Sequence, residues 1–392
     1  MPDLGGTEHD SLPDEVTTRI DYVPGRFVKR RHLREKIVRK CGCPKTSIVV
    51  APGPPTPISG GLYGASFIAY LIVEKCADSM PVYRMEKRFA RVGVPISRST
   101  MNDLVLAAAE RVRPLVMRLT TRIASVDVVL ADETSMRLQD RSKRGFIWVF
   151  HGHDDSSGGE LVLYVFSCDR SGDTPAKVLG ASEGTLVVDG YTGYNAVTDP
   201  THRARAGCWC HGRRKFFEAC GSAPNDAEHA ISMMRPLFRI EHEAKLRDIV
   251  GTDEHLAMRR ERSRPIVDEI FNWVTDTKPK VLPKSPIGTA LGYMQNQRDR
   301  LELFLTDARV PLHNNSSESR LRIIALLRKS SLFFGHPRAG RLWAGLFSLV
   351  GSAIANGHEP IGYLADVLVR VNGEMSNDEL DALLPDRWTP PA

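Results

Sequence analysis

Two aspartates each follow a run of apolar residues, a position from which a carboxylate can take part in chemistry. Asp132 ends the run VVLAD, and Asp189 ends the run TLVVD. Short runs of β-branched and aliphatic residues are typical of buried strands, and open sheets place their ligands just beyond strand ends. Each aspartate is therefore either a solvated turn residue or a carboxylate that a strand delivers to a site.

Two carboxylates in one dry site would suit divalent metal ions. Like charges that lie close together repel, so one carboxylate keeps its proton unless a cation intervenes. Mg²⁺ prefers one or two protein carboxylates together with substrate phosphates. A pair of such ions activates the attacking oxygen and stabilises the leaving oxygen of a phosphoryl transfer. Metal-dependent phosphoryl transfer is the chemistry expected if Asp132 and Asp189 lie side by side.

A third acid, Glu318, lies in the stretch HNNSSESRLRIIALLRK, where it precedes a run of apolar residues with helical spacing. An acid in the first turn of a helix is favoured by the helix dipole. Glu318 either completes the same site or pairs with Arg322 at i+4. The residues alone leave both interpretations open.

The elements that must position these acids are predicted between residues 125 and 210. Strands are expected at 125–132, 145–153, 160–168, 185–189 and 206–210, with a short helix at 174–181. Three strands, a helix, a fourth strand and a fifth is the order of a ribonuclease-H-like sheet. In that topology the first strand lies beside the fourth, which would place Asp132 next to Asp189.

A possible helix-turn-helix precedes the strands, in PVYRMEKRFARVGVPISRSTMNDLVLAA. Two helices joined by a Gly-containing turn are predicted, the second opening at Ser97 or Ser99. Helical hairpins that never touch DNA have the same pattern. Contact with DNA and plain packing both remain open for this segment.

The charge and the cysteine content limit the classes of protein to which this chain can belong. The net charge is +6, and residues 25–40 carry eight Lys or Arg against one acid, which suits phosphate contact or a solvated arm. Seven cysteines without an apolar signal segment favour a reducing cytosol. The uncharged apolar stretch 342–357 is shorter than a membrane span, so a membrane partner is not expected.

Taken together, the motifs resemble one family, the insertion-sequence-66 type of bacterial transposase, a branch of the Asp-Asp-Glu transposases. The resemblance covers roughly residues 20–390. The stretches that carry it are APGPP, SGGLYGASFIAYLIVEKCADSMPVYRMEKRFARVGVPISRSTMNDLV, ADET, VVDGYTGYN, CWCHGRRKF, HNNSSESRLRIIALLRKSSLFFG, NGHEPIGYLADVLVRV and DALLPDRW.

The resemblance implies a catalytic and metal-binding triad of Asp132, Asp189 and Glu318. Two Mg²⁺ ions, which Mn²⁺ can replace, would serve strand cleavage at the ends of the element and transfer of the 3′-hydroxyls to target DNA. The partners implied are the terminal repeats, target DNA, further copies of the chain and accessory proteins of the same element. The location implied is cytoplasmic, at the nucleoid.

Two rival functions share the same residues. One is a ribonuclease-H-like nuclease that cuts without joining, and the other is a catalytically inactive DNA-binding remnant. Paired carboxylates would also suit a glycosidase, but the basic stripe and the lack of aromatic sugar platforms near the acids argue against it.

The basic residues near the motifs are expected to contact the DNA backbone. They are Arg213, Arg214 and Lys215 after CWCH, Arg322, Arg328 and Lys329 after Glu318, and Arg30 and Arg31 in the basic stripe. Cys208 and His211 are expected to be structural, because two or three ligands do not complete the tetrahedral shell of zinc.

The complete organisation expected is α/β, with a ribonuclease-H-like mixed sheet between helical regions. Its parts are a disordered tail at 1–20, a basic segment with half of a zinc module at 21–50, a Pro/Gly linker at 51–61, a helical region at 62–123, the ribonuclease-H-like core at 124–221, an all-helical insertion at 222–309, a catalytic helix that completes the core at 310–340 and a helical C-terminal region at 341–392.

Some positions depart from the family's pattern. His313 and Ser319 stand where the family commonly has Asp and Arg, although neither change removes a member of the triad. Of the family's four-cysteine zinc module only Cys41 and Cys43 are present, so we expect no zinc in this chain. We also expect a truncated copy or a misplaced first methionine.

Overall fold

The computed structural model describes residues 17–22, 25–38, 48–58, 60–140, 144–198, 202–330 and 335–391. The chain divides into two units, residues 1–54 and 55–392. In the first unit, strands β1 (Lys36–Val38) and β2 (Ile48–Val50) pair antiparallel and are exposed along their length. Most of the predicted disordered tail, and Cys41 and Cys43, lie outside the described residues.

The second unit opens with four helices. They are α1 (Ala65–Cys76), α2 (Val82–Arg91), α3 (Arg98–Arg111) and α4 (Arg113–Ala124). The turn between α2 and α3 contains Gly93 at φ 78°, a left-handed conformation that glycine adopts without steric cost. Ser97 caps α3, since its Oγ accepts the Thr100 N–H at 3.1 Å. The two predicted helices and their turn are present, and their contact with DNA stays a prediction.

A five-stranded mixed sheet lies at the centre of this unit. Its strands are β3 (Val128–Arg137), β4 (Arg144–Asp154), β5 (Gly159–Ser167), β6 (Thr185–Val187) and β7 (Ala204–Ala206). The spatial order is β5-β4-β3-β6-β7. The pairs β3–β4 and β4–β5 are antiparallel, whereas β3–β6 and β6–β7 are parallel. A crossover helix, α5 (Asp173–Leu179), leads from β5 to β6. The predicted ribonuclease-H-like α/β class is confirmed.

The predicted strand bounds differ from the structure most at the ends of β3 and β7. Strand β3 runs past Asp132, because β4 continues to pair with it as far as Arg137. The apolar run at 206–210 is not a strand beyond Ala206. Helix α6 (Trp209–Ala219) begins there instead, with the Trp209 indole buried and its Nε1–H donating to the Leu301 carbonyl at 2.8 Å. A short apolar run does not by itself distinguish a strand from a buried helix start.

An all-helical segment follows α6 and covers one face of the sheet. It contains α7 (Pro224–Leu246), α8 (Asp253–Met258), a π-helical turn (Arg259–Ser263), α9 (Arg264–Thr277), a 3₁₀ turn (Lys278–Lys280), α10 (Pro286–Asn296) and α11 (Arg298–Glu302). Its apolar side chains form one core with the sheet residues Val128, Leu130 and Val187. The neighbouring sheet residues Val129 and Leu186 belong to the other core, since strand residues alternate between faces.

Four helices complete the chain: α12 (Asn315–Ser330), α13 (Pro337–Ala355), α14 (Pro360–Arg370) and α15 (Asn377–Asp381). None of the helices in the described ranges is both long and apolar enough to span a membrane.

Helix α13 covers the outer edge of the sheet. Ser348, Ser352 and Asn356 recur every fourth residue and so share one helix face. Their side-chain oxygens accept backbone N–H groups of edge strand β5, at 2.7 Å from Tyr164, 2.8 Å from Val162 and 2.9 Å from Glu160, respectively. This polar stripe provides hydrogen-bond acceptors for the backbone N–H groups of edge strand β5, which could otherwise pair with a strand of another chain.

We expect Ser352→Ala to lower the free energy of unfolding by about 1–3 kcal/mol, because the buried Val162 N–H loses its acceptor. Urea denaturation measures the change. Ser232→Ala, which removes an exposed helical serine, is the control and should stay within about 0.5 kcal/mol of the parent. Equal stability of the two variants would contradict the role assigned to the stripe.

Candidate active site

The two predicted aspartates face the same side of the sheet. On β3, Asp132 lies two and four residues after Leu130 and Val128, which point toward the helical segment. Asp189 lies two residues after Val187, which belongs to the same core, and the chain stays extended there, as the Val188 N–H donates to Ala206 O at 3.1 Å. The alternation of strand side chains therefore directs both carboxyls to the face that α6 and α10 cover.

The loop after β6 fixes the orientation of Asp189. One carboxylate oxygen, Oδ1, accepts the Tyr191 N–H at 2.8 Å. Arg205 on β7 is buried and donates to the main-chain carbonyls of Asp189 at 2.7 Å and of Tyr191 at 2.6 Å. The DGYTGYN stretch is thus held by a buried guanidinium that sequence reasoning had not singled out.

Glu133, the neighbour of Asp132, is already committed to protein partners. Its carboxylate accepts the hydroxyl of buried Tyr194 at 2.6 Å and pairs with Arg170. Because it lies on the opposite face from Asp132, Glu133 stabilises the loop through Tyr194, and Asp132 remains the carboxylate that points toward α6.

Asn314 joins three segments that are far apart in the sequence. Its Nδ2 donates to the Ala131 carbonyl at 2.7 Å, its backbone N–H donates to Cys208 Sγ at 3.2 Å, and its Oδ1 accepts the Ser317 hydroxyl at 2.6 Å. The side chain is 1% exposed. We call this set of bonds the Asn314 junction. It ties the residue before Asp132 to the start of α6 and to the first turn of α12.

A second buried contact docks α12 on the sheet. The Ser317 hydroxyl bonds His151 Nε2 at 3.1 Å, and His151 Nδ1 bonds Glu160 Oε1 at 3.1 Å. Arg320, one turn further along α12, pairs with the same Glu160. Burial lowers the pKa of His151, while the hydrogen bond to Glu160 opposes this effect. Ser317, His151 and Glu160 form a hydrogen-bonded bridge, here called the His151 bridge, between α12 and the sheet.

Glu318 projects from the first turn of α12 toward α6. Its Oε1 lies 3.1 Å from Arg214 Nη2 and 3.8 Å from His211 Nε2. The pairing with Arg322 that the sequence left open is not found between these residues in the described part of the chain. Glu318 therefore faces the α6 side of the sheet, the side that holds the two aspartates.

The acids act on one another electrostatically. Burial raises the pKa of Asp132, the charges of Glu133, Asp189 and Glu318 add to the rise and the Glu133 N–H opposes it, so that the pKa lies at about 7. Asp189 and Glu318 therefore lie within electrostatic range of Asp132.

The CWCH stretch supports this site from α6. Cys208 is buried, and its hydrogen bond with Cys210 together with burial raises the pKa of its thiol. A hydrogen bond with Cys208 raises the pKa of His211, as does the nearby Asp189. Cys208 therefore holds the start of α6 by accepting the Asn314 N–H, and the raised pKa of His211 favours its protonated form beside Glu318.

Two carboxylate oxygens suit the binding of a hard cation. Asp132 Oδ1 accepts the Glu133 N–H at 2.8 Å and Asp189 Oδ1 accepts the Tyr191 N–H. The other oxygen of each has no hydrogen-bond donor among the residues that the structure describes. Within those residues no three His, Cys, Asp or Glu side chains are grouped to hold one metal. Mg²⁺ needs only one or two carboxylates when substrate phosphates complete its shell, so the oxygen donors fit.

The predicted DNA-contacting cations fall into different surroundings. Arg322 and Lys329 are exposed on α12, at i+4 and i+11 from Glu318 and hence on its face of the helix. Arg328 donates to the Ser135 carbonyl at 2.8 Å, so it is engaged in docking α12. On α6, Arg213 and Arg214 are exposed and Lys215 is half-buried. Arg30 and Arg31 are exposed in the first unit.

Replacement of Asn314 tests the junction. We expect Asn314→Ala to lower the free energy of unfolding by about 2–4 kcal/mol, because the Ala131 carbonyl loses its donor and a small cavity remains. Denaturant titration measures it. Asn315→Ala, the same change at an exposed neighbour, should stay within about 0.5 kcal/mol. If Asn314→Ala and Asn315→Ala were equally stable, the Asn314 junction would not contribute to the stability of the fold.

The raised pKa of Asp132 makes stability depend on pH. In the metal-free protein the folded state holds the Asp132 proton more tightly than the unfolded state, so this stabilisation is lost as pH rises from about 4 through about 7. Asp132→Asn should therefore gain roughly 2–4 kcal/mol relative to the parent between pH 4 and pH 8. Parallel denaturation curves in EDTA measure the difference, and a pH-independent difference would refute this assignment.

The residues of the candidate site lie within a stretch of the chain that matches a known protein family. Residues 60–342 match the family described as "Transposase IS66 family", and residues 348–385 match "IS66 C-terminal element". The chain is 30% identical over 405 residues to the uncharacterized protein y4qI of Sinorhizobium fredii (strain NBRC 101917 / NGR234), covering 100% of this chain and 74% of that protein. It is 29% identical over 406 residues to the uncharacterized protein y4hP of the same strain, covering 98% and 72%.

The first match spans the sheet, both aspartates, Glu318 and the helical segment between them, and the second covers the C-terminal helices. This chain belongs to the IS66 family of transposases.

Proposed function

We propose that this transposase cuts DNA at the ends of its element and joins the freed 3′-hydroxyls to target DNA in a metal-dependent reaction. The proposal is supported by Asp132 and Asp189, which follow core residues on one face of a ribonuclease-H-like sheet, and by the charge of Glu318, which acts on Asp132. The family implies DNA as the partner. Action on chromosomal DNA would place the protein at the nucleoid.

The carboxylates would hold two Mg²⁺ ions, or Mn²⁺ in their place. Asp132 and Asp189 each keep one oxygen fixed by a backbone N–H, which orients the other oxygen toward an ion. Glu318 would complete the shell of the second ion from α12. Ions bound in this way would activate the attacking water or 3′-hydroxyl and stabilise the leaving oxygen.

The cations beside the acids would hold the phosphodiester. Arg214 lies 3.1 Å from Glu318, so its guanidinium orients that carboxylate and can also meet a phosphate oxygen. Arg322 and Lys329 continue from Glu318 along the exposed face of α12, a spacing that suits contacts to successive phosphates. Preorganised positive charge of this kind stabilises the charge that develops during phosphoryl transfer.

The joining step requires the two ends of an element and a target, so we propose a homo-oligomer on paired ends, assisted by other proteins of the same element. A chain that cut element ends without joining them would be a nuclease on the same fold. A chain that bound the ends without cutting would be an inactive remnant.

An end-cleavage assay tests the proposal. Labelled element-end DNA and a plasmid target are incubated with the full chain in Mg²⁺ or Mn²⁺. We expect Asp132→Asn, Asp189→Asn and Glu318→Gln each to slow cleavage about 100-fold or more, since about 2.7 kcal/mol of lost transition-state stabilisation has that effect. EDTA should abolish cleavage in the parent.

The control is Glu374→Gln, an exposed acid in the C-terminal region, which should cleave like the parent. Cut ends without joined product would identify a nuclease. Cleavage that survives EDTA and all three substitutions would overturn the assigned site.

A further inference from the structure

A groove opens beside Asp189, between helices α6 and α10. It has a volume of about 540 Å³, within the range of roughly 300–1,000 Å³ that is typical of small-ligand sites. Its walls include Lys215, Lys278, Pro283, Gly292, Tyr293 and Asn296.

The groove is attached rigidly to the candidate active site. A Cβ added to Gly190 would lie 3.0 Å from Tyr293 Cε2, and one added to Gly212 would lie 2.7 Å from Met294 Sδ. These close approaches pack α10 against both the Asp189 loop and α6. A strand that leaves the site past Asp189 would therefore enter this groove.

The groove is positively charged. Lys215 and Lys278 line it, and no Asp or Glu does. Lys278 Nζ bonds the neutral side chain of Gln295, and neither lysine is paired with a carboxylate in the ranges that the structure describes. Two uncompensated cations beside an aromatic ring are what a sugar–phosphate strand with exposed bases requires.

Gly292 lies inside α10, where glycine is the least favourable residue apart from proline. One turn earlier, Gly288 is required by packing within the protein, because a Cβ there would lie 2.2 Å from the Leu282 carbonyl oxygen. A Cβ on Gly292 would meet nothing within 4 Å. At Gly292 the groove is therefore open as far as the helix backbone, and a ligand could approach that backbone closely.

We propose that this groove binds the single-stranded nucleotides next to the cleaved phosphodiester, with their phosphates at Lys215 and Lys278 and a base or sugar against Tyr293. The inference rests on the proposed function and extends it to the strand that the enzyme holds. A groove of this volume admits one strand, whereas a duplex would have to lie across its rim.

Fluorescence anisotropy in EDTA tests the groove without cleavage. The probes are a short labelled single strand and a duplex of the same sequence, and the protein is the full chain. We expect Gly292→Leu and Lys278→Gln each to weaken single-strand binding about 3- to 10-fold, and to leave duplex binding within about 2-fold. Gly292→Leu should also raise the Tm, since leucine favours a helix more than glycine does.

Two control variants match these changes. Gly373→Leu replaces another glycine with open space around it, and Lys245→Gln removes an exposed lysine of α7. Both should bind single strands like the parent. Parent-like binding by Gly292→Leu and Lys278→Gln, or an equal loss for duplex and single strand, would overturn the proposal.

The test separates this inference from the proposed function. Asp132→Asn should keep its single-strand affinity in EDTA although cleavage in Mg²⁺ is lost. Single-strand binding together with parent-like cleavage by Asp132→Asn would overturn the catalytic assignment and leave the groove in place.

Discussion

The arrangement of this protein depends on one buried amide. Asn314 is the point where the central strand, the helix that carries His211 and Arg214, and the helix that carries Glu318 are joined by hydrogen bonds. An unsatisfied polar group at such depth is costly, so the three segments cannot separate without losing these bonds. The position of Glu318 relative to Asp132 is therefore set by a satisfied polar cluster, with apolar packing around it.

Acidic and basic side chains occupy different positions around this junction. Half-buried carboxyls occupy the centre, where burial and the neighbouring acids raise the pKa of Asp132, whereas cations lie on α6 and α12. Repulsion among the acids destabilises the site by itself, and the Asn314 junction and the His151 bridge hold it in place. Repulsion between acids is expected at a site that would bind metal cations together with the phosphates of DNA.

Helix α6 and the all-helical segment after it cover one face of the sheet, so that the two faces differ in what packs against them. Without them, Val128, Leu130 and Val187 would be exposed. The other face and the edge strand are covered by the N-terminal helices and α13, whose serine stripe closes the sheet on that side. Catalytic geometry and stability are thus assigned to opposite sides of one sheet.

The local pattern by itself predicted the succession of strands and helices and singled out Asp132 and Asp189, because apolar runs and caps are short-range features. The choice of Glu318 as the third acid came from the family resemblance. The local pattern missed the extent of β3 and took the start of α6 for a strand, since an apolar run looks the same in both. Asn314, Ser317, Arg205 and His151 carry no local signal of burial. Only the tertiary structure could show that they meet, because their partners lie up to 183 residues away along the chain.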